Sequence, residues 1–335
     1  MSSLRRSEFV RALSAGGAAA TVPFLAGAAP PLGKPEKTRL RVGLPVDATV
    51  FLPVYIAAAK TWAAQGLDVE LVAFSGDAPA SQALVSGSTD FNVSSPNALI
   101  NAINAGQPII SFYAGFWQSD FEWLAAPSIK RWSDLKGKSL GITTFGSLTE
   151  ALTRYVLIKN EIDPDHDVTL QQTGGSASSY QALKSGRIAA TILATPYKWQ
   201  AAEDGFVVLA TQIKDIAPQW PKQIFVAKTD FLNSNPNTVA AVLRAHVAAL
   251  RLAHAQREYA VGILTDRLKY DKRWAERAYD DMMGGFNERG GFPEKFMPVF
   301  WKVTMVTGDV KTPWPSNKLL DDRWVRSFNQ WAPGN

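Results

Sequence analysis

The sequence predicts an α/β protein built as two similar lobes, each a central sheet flanked by helices. Three observations lead there. The chain has 335 residues, more than one hydrophobic core usually serves. Strand-like and helix-like segments alternate from about residue 40 onward, which points to parallel strands with helices on the faces of the sheet. One unit of this kind also recurs 99 residues later.

In chain order, Arg5, Arg6 and Arg11 precede a small-residue apolar stretch, Ala12 to Leu25, and then Ala26-Gly27-Ala28. A basic region, a weak apolar region and an A-x-A site predict an export signal over residues 1–28, with Ala29 as the mature start. The paired arginines with Phe9 resemble a twin-arginine signal, although the phenylalanine falls one place late, so both export routes stay open. After a Pro/Gly-rich tether, Pro30 to Pro35, a strand is expected at Leu40–Leu44 and a helix at Pro53–Gln65, stopped by Gly66. A strand at Val69–Val72, a helix at Ala80–Ser86 and a strand at Phe91–Val93 follow.

The repeat places Asp68–Gly87 over Asp167–Gly186, with ten of twenty positions identical, where unrelated segments share about one or two. The identities include Asp68/Asp167, Gly76/Gly175, Ala83/Ala182, Leu84/Leu183 and Gly87/Gly186, and Gly43 and Gly141 sit near equivalent places on their first strands. A spacing of 99 is too long for a solenoid and fits two α/β lobes. The last third differs. Helices are expected at Asn237–Gln256, with Val239, Val242, Leu243, His246, Leu250 and Leu252 as its apolar face, and at about Lys272–Met283. These should pack on the first lobe, so the chain crosses between lobes twice, near Ser119 and near Ala217–Lys222. The expected division is 1–28 export signal, 29–118 first lobe, 119–222 second lobe, and 223–335 a return to the first lobe.

Composition narrows the function. Apolar residues at 46% and charged residues at 19% describe a globular chain. The +5 net charge is spread without a basic cluster, so no nucleic-acid partner is expected. There is no cysteine, which removes disulfides, thiolate metal sites, cysteine nucleophiles and a lipidated cysteine. His246 and His254 stand two turns apart on one helix, too far for one metal without other ligands. No nucleophile elbow, zinc-protease, phosphate-loop or dinucleotide motif occurs. No catalytic residue, metal or cofactor is therefore expected.

Small polar residues at strand-to-helix junctions remain: Ser94-Ser95-Pro96-Asn97, Thr143 to Ser147, Gly174-Gly175-Ser176 and Thr195-Pro196. Ligands of α/β sheets bind at the carboxyl ends of strands, where helix starts present free N–H groups. Phe51, Phe116, Trp117, Phe145, Tyr197 and Trp199 lie near strand ends or crossings and offer stacking faces.

These residues resemble one family. Gly66-Leu67-Asp68-Val69-Glu70-Leu71-Val72, Gln82 to Gly87 with Asp90-Phe91, Asp134 to Lys138, Asp163-Pro164 with Asp167-Val168, and Ala182 to Gly186 with Thr195-Pro196 are similar to motifs of one group of ABC-importer substrate-binding proteins. That group is the nitrate, sulfonate, taurine and thiamine-precursor type, and the resemblance covers about residues 38–260. It implies a two-lobed type II periplasmic-binding-protein fold with a hinge of two crossings. It further implies a periplasmic monomer that closes on a small organic molecule with an acidic or polar end and passes it to a membrane permease. The ligand-binding residues it implies are Phe51, Ser94, Ser95, Trp117, Thr143, Thr144, Phe145, Ser147, Gly174, Gly175, Thr195 and Pro196. The chain departs from the family pattern at Ala189, where an acidic residue is usual, and near Trp62, where a glycine is usual. A sensor that reports to a membrane kinase, and a secreted enzyme on the same fold, are the alternatives. A eukaryotic pyrimidine-forming branch carries a Cys-rich motif that this chain lacks.

Overall fold

The structure, a computed structural model, describes residues 33–334. The expected export signal, residues 1–28, lies outside the described residues.

The first unit runs β1 (Arg39–Leu44), α1 (Leu52–Ile56), β2 (Asp68–Ala73), α2 (Asp77–Ser86), β3 (Phe91–Ser94), α3 (Pro96–Asn104) and β4 (Ile109–Gln118). Helix α1 continues through a π-helical turn, Ala57–Thr61, to Ala64, and Gly66 then turns the chain at a φ of 73°. The second unit begins with β5 (Glu122–Ala125). It continues through β6 (Ser139–Ile142), α4 (Leu148–Lys159), β7 (Thr169–Gln172), α5 (Ser176–Lys184), β8 (Ala190–Leu193), α6 (Tyr197–Glu203) and β9 (Val207–Thr211). The chain then returns in β10 (Gln219–Lys228) and closes with α7 (Pro236–Ala255), α8 (Arg257–Leu268), α9 (Lys272–Met282) and α10 (Met297–Val306).

Among the described residues the strands form two five-stranded sheets, ordered β2-β1-β3-β10-β4 and β7-β6-β8-β5-β9. In each, three strands run parallel, as the alternating pattern predicts: β1 with β2 and β3, and β6 with β7 and β8. The sheets are nonetheless mixed. β10 lies antiparallel between β3 and β4, and β5 antiparallel between β8 and β9. Both strands enter from the other sheet rather than over a crossover helix, so nothing requires them to run parallel. The chain leaves the first sheet between Gln118 and Glu122 and comes back between Asp215 and Gln219, and Gln118 and Gln219 pair with each other.

The repeated residues occupy equivalent places. Gly76 and Gly175 are the N-caps of α2 and α5, and Gly87 and Gly186 turn the chain after those helices at φ values of 80° and 74°. Gly43 lies beside Asn92 and Gly141 beside Thr191; the two glycines are 98 residues apart and their partners 99. A Cβ at Gly43 would come 2.8 Å from Asn92 Cγ, and one at Gly141 would come 2.8 Å from Thr191 Oγ1. Each first strand therefore needs a glycine for the third strand's polar side chain to lie across it.

Helix α7 packs on α1, with Trp62 Nε1 donating to the Val242 carbonyl at 3.4 Å. The core of this half is an aromatic cluster in which Phe91, Phe112 and Phe225 stand 5.8 Å from one another. Helix α10 packs on both β10 and α4, and its Phe300 and Trp301 share one apolar cluster with Ile100 and Ile109 from the first unit and Trp123 and Leu152 from the second. Phe300 sits 5.3 Å from Trp220 at the start of β10, so the apolar face of α10 spans the junction of the two sheets.

Candidate functional site

Parallel strands deliver each following helix start to their carboxyl edge. The carboxyl edge of β1–β3 and that of β6–β8 face each other and meet. Asn101 Nδ2 donates to the Gly146 carbonyl at 3.1 Å, and Thr49 Oγ1 donates to the Thr195 carbonyl at 3.3 Å. Gly76 comes against Thr144, and Gly175 against Val46.

Asp77 is the charged residue at the centre of this seam. It stands at the first position of α2, 7% exposed. Ser94 Oγ donates to its Oδ1 at 3.2 Å, and Ser95 Oγ lies 3.4 Å from its Oδ2. The backbone N–H groups of Ser95 and, from the opposite unit, Leu148 also favour its ionised form. Burial outweighs these donors and raises its pKa to about 6.

The expected site residues divide into two groups. Ser94 and Ser95 hold Asp77, and Ser95 also accepts from the Ala98 N–H as the N-cap of α3. Ser147 is the N-cap of α4, and its hydroxyl pairs with that of Thr149 at 2.9 Å. The N–H of Thr143 is held by Thr149 Oγ1 at 2.9 Å, and the Thr143 carbonyl accepts from Gly174 N at 3.2 Å. Gly174 takes a left-handed φ of 81° ahead of the α5 N-cap, and Pro196, joined to Thr195 by a cis bond, is the N-cap of α6. Thr144 Oγ1 and Thr195 Oγ1 are buried without a protein partner. These residues meet along the seam.

The aromatic residues are placed otherwise. Phe51 is buried in the first core, edge-on to Tyr55 at 6.4 Å. Trp117 donates its indole N–H to the Gly291 carbonyl at 2.9 Å. Phe145 is 46% exposed at the tip of the loop before α4.

A second seam joins α6 to α9. Trp199 and Trp274 stack at 6.5 Å with an interplanar angle of 14°, and the Arg277 guanidinium lies 4.0 Å from the Trp199 ring centre. Arg273 reaches Glu203 at 3.0 Å. Deeper in, Lys198 donates to the Asp120 carbonyl at 3.0 Å and stands 3.4 Å from Asp281, while Lys222 pairs with the Asp120 carboxylate. Burial lowers the pKa of Lys222 and raises that of Asp281. This charge cluster ties the first passage between the sheets, at Asp120, to β10, α6 and α9.

Asp77, Thr49, Val46 and Asn101 escaped sequence reasoning. The signal for Asp77 was available: it follows Gly76, one of the repeated glycines, and stands where the second unit has Ser176. The pair is not an identity, so the repeat does not mark it. Among the described residues, no group of three or more His, Asp or Glu is placed to hold a metal ion, and no helix is long and apolar enough to cross a membrane.

Residues 48–260, more than half of the chain, match the family described as NMT1/THI5 like. The chain belongs to that family. Its sequence is 27% identical over 214 residues to YtlA of Bacillus subtilis (strain 168), a match spanning 62% of this chain and 64% of that protein. Solved structures share the architecture. A structure from Bordetella bronchiseptica RB50 superposes with a TM-score of 0.77 at 23% identity, covering 89% of this chain and 99% of that one. The periplasmic nitrate-binding protein NrtA of Synechocystis PCC 6803 gives 0.69 at 16%, covering 89% and 90%. The periplasmic aliphatic sulphonate binding protein SsuA of Escherichia coli gives 0.62 at 19%, covering 81% and 86%. At these identities the likeness is one of fold, the periplasmic-binding-protein fold.

Proposed function

We propose that this NMT1/THI5 like protein is an extracytoplasmic solute receptor. It captures a small organic molecule with an acidic or polar end and an apolar body between its two sheets, and it passes that molecule to the permease of an ABC importer. The observation that carries this reading is the seam itself. Two homologous strand edges, on halves joined by two passages of chain, meet across hydroxyls that are buried and unpartnered, Thr144 Oγ1 and Thr195 Oγ1. Buried polar groups without partners are rare and costly, and a ligand's polar end offers the missing bonds. The nitrate- and sulphonate-binding names of NrtA and SsuA agree with a small-molecule receptor. Residues 29–118 with 223–335 would act as one lobe and 119–222 as the other. A monomer exported by means of residues 1–28 would do this without catalysis, metal or cofactor.

The test is a thermal-shift screen of the protein from Ala29, followed by small-angle scattering. A ligand at 100 times its dissociation constant adds about 2.7 kcal/mol of stability, and binding should narrow the open population and reduce the radius of gyration. Scattering curves that stay identical at saturation would count against a receptor that closes.

A further inference from the structure

The charge at the seam deepens the receptor reading, on which it rests, by deciding between the acidic and the polar ligand end that reading leaves open. The α4 N-terminus, on a helix of 12 residues, is where an anionic ligand end would gain most, because a helix start carries about half a positive charge. That place faces a carboxylate of the protein. Asp77 follows Gly76, which lies against Thr144 three residues ahead of the α4 N-cap Ser147; the hydroxyls of Ser94 and Ser95 reach its carboxylate, and the N–H of Leu148 across the seam favours its ionised form. The nearby charges supply nothing free to offset a second anion. Glu150 takes the Gly146 N–H, and Arg154 is committed to Glu150 and Asp165 at 2.8 Å each. Asp309 faces Asn97. The orphaned hydroxyls are neutral. Thr144, 7% exposed and lying against Gly76, and Thr195, 3% exposed, each leave Oγ1 without a partner in the same seam.

We propose that Asp77 sets the charge of the ligand: its carboxylate holds the α4 N-terminus against anions, so the cleft takes a small organic molecule whose polar end is neutral or cationic and rejects sulfonates, carboxylates and nitrate. With a pKa of about 6, the group is mostly ionised at pH 7.5. Two like charges confined in a site closed to water repel strongly, so an anion bound beside an ionised Asp77 should lose on the order of 100-fold in affinity.

The test is calorimetry at pH 7.5 with pentane-1-sulfonate, benzoate and nitrate as anionic probes, and pentylamine and benzamide as cationic and neutral ones. Wild type should bind none of the three anions at millimolar concentration. Asp77→Asn, and Asp77→Ser as a second variant carrying the residue of the equivalent position Ser176, should each gain at least one anion by about 100-fold or more. Circular dichroism melts establish that each variant is folded, and the second keeps the test intact if the first is not. Wild type that binds an anion as tightly as the variants overturns the proposal. So do folded variants that remain blind to every anion. Failure of the receptor reading looks different, since then neither wild type nor the variants bind the cationic and neutral probes, or a wider library of such compounds, either.

Discussion

On the proposed receptor reading, Gly76 is the place where closure of the two halves can be blocked without touching either core. It is the N-cap of α2, with an extended backbone at φ 160° and ψ −179°, which any residue adopts. A Cβ built there would stand 2.7 Å from Thr144 Oγ1 and 3.0 Å from Thr144 Cβ, both on the opposite unit. Serine is the substitution of choice because it is a favourable N-cap and leaves the helix start at least as stable as glycine does. The added atoms then cost energy only where the edges meet. Overpacking of this kind costs about 1–3 kcal/mol. At about 1.4 kcal/mol per decade, ligand affinity should fall between about 5-fold and about 150-fold, because the binding-competent closed form is depleted. The equivalent change Gly175→Ser puts its Cβ 3.3 Å from Val46, a contact relieved by a few tenths of an ångström, and should cost less than Gly76→Ser. The assay is calorimetry with the strongest compound from the thermal-shift screen, alongside scattering of the unliganded proteins and urea denaturation. Gly76→Ser should show a larger radius of gyration and weaker binding, with an unchanged slope of unfolding against urea. A Gly76→Ser protein that matches wild type in size and affinity would refute the reasoning that these two edges meet on closing.

Other substitutions probe the halves themselves. Gly43→Ala should lower the urea midpoint through overpacking of about 1–3 kcal/mol, since its Cβ would meet Asn92, which is pinned by Thr89 Oγ1 at 2.7 Å and the Ala80 carbonyl at 2.6 Å; an unchanged midpoint would show that Asn92 can yield. His246 is fully buried beside Tyr113 and Phe225, with neither ring nitrogen partnered, and burial lowers its pKa to about 3. Between its ordinary value of 6.5 and about 3 the unfolded chain binds a proton that the fold refuses, so stability drops as pH falls, by about 1.4 kcal/mol per unit. His246→Leu should remove that part of the slope, read from urea midpoints between pH 6.5 and pH 4.5; parallel lines for the two proteins would contradict it.

Much of the fold was legible because its signals are local. The strand at Leu40–Leu44 and the helix at Lys272–Met283 are read from short windows of apolar spacing, and they appear as Arg39–Leu44 and Lys272–Met282. Gly66, Gly87 and Gly186 announce turns because their positive φ values suit a residue without Cβ. The 99-residue repeat carried the architecture further than any single motif, since two copies of one α/β unit must make two like sheets. The antiparallel course of β5 and β10 has no such mark. A strand's direction depends on where the chain arrives from, which here is the other sheet.

The seam between the two strand edges was legible in part. Ser94, Ser95, Thr144, Ser147, Gly175 and Thr195 could be named because helix starts after parallel strands collect at one edge, whatever the ligand. Phe51 and Trp117 show the limit of reading aromatics by position, for a ring near a strand end can turn inward or outward. Here Phe51 enters the core and Trp117 reaches Gly291 in the C-terminal segment. The sequence by itself determined the class of fold, the duplication and the polar edge of each half. Only the tertiary structure decided that Asp77 confronts the start of α4, that Thr144 and Thr195 are left with buried, unpartnered hydroxyls, and that α10 spans both halves. Those are relations between residues 50 or more positions apart, set by how two rigid edges meet, and local residue patterns carry no record of that distance.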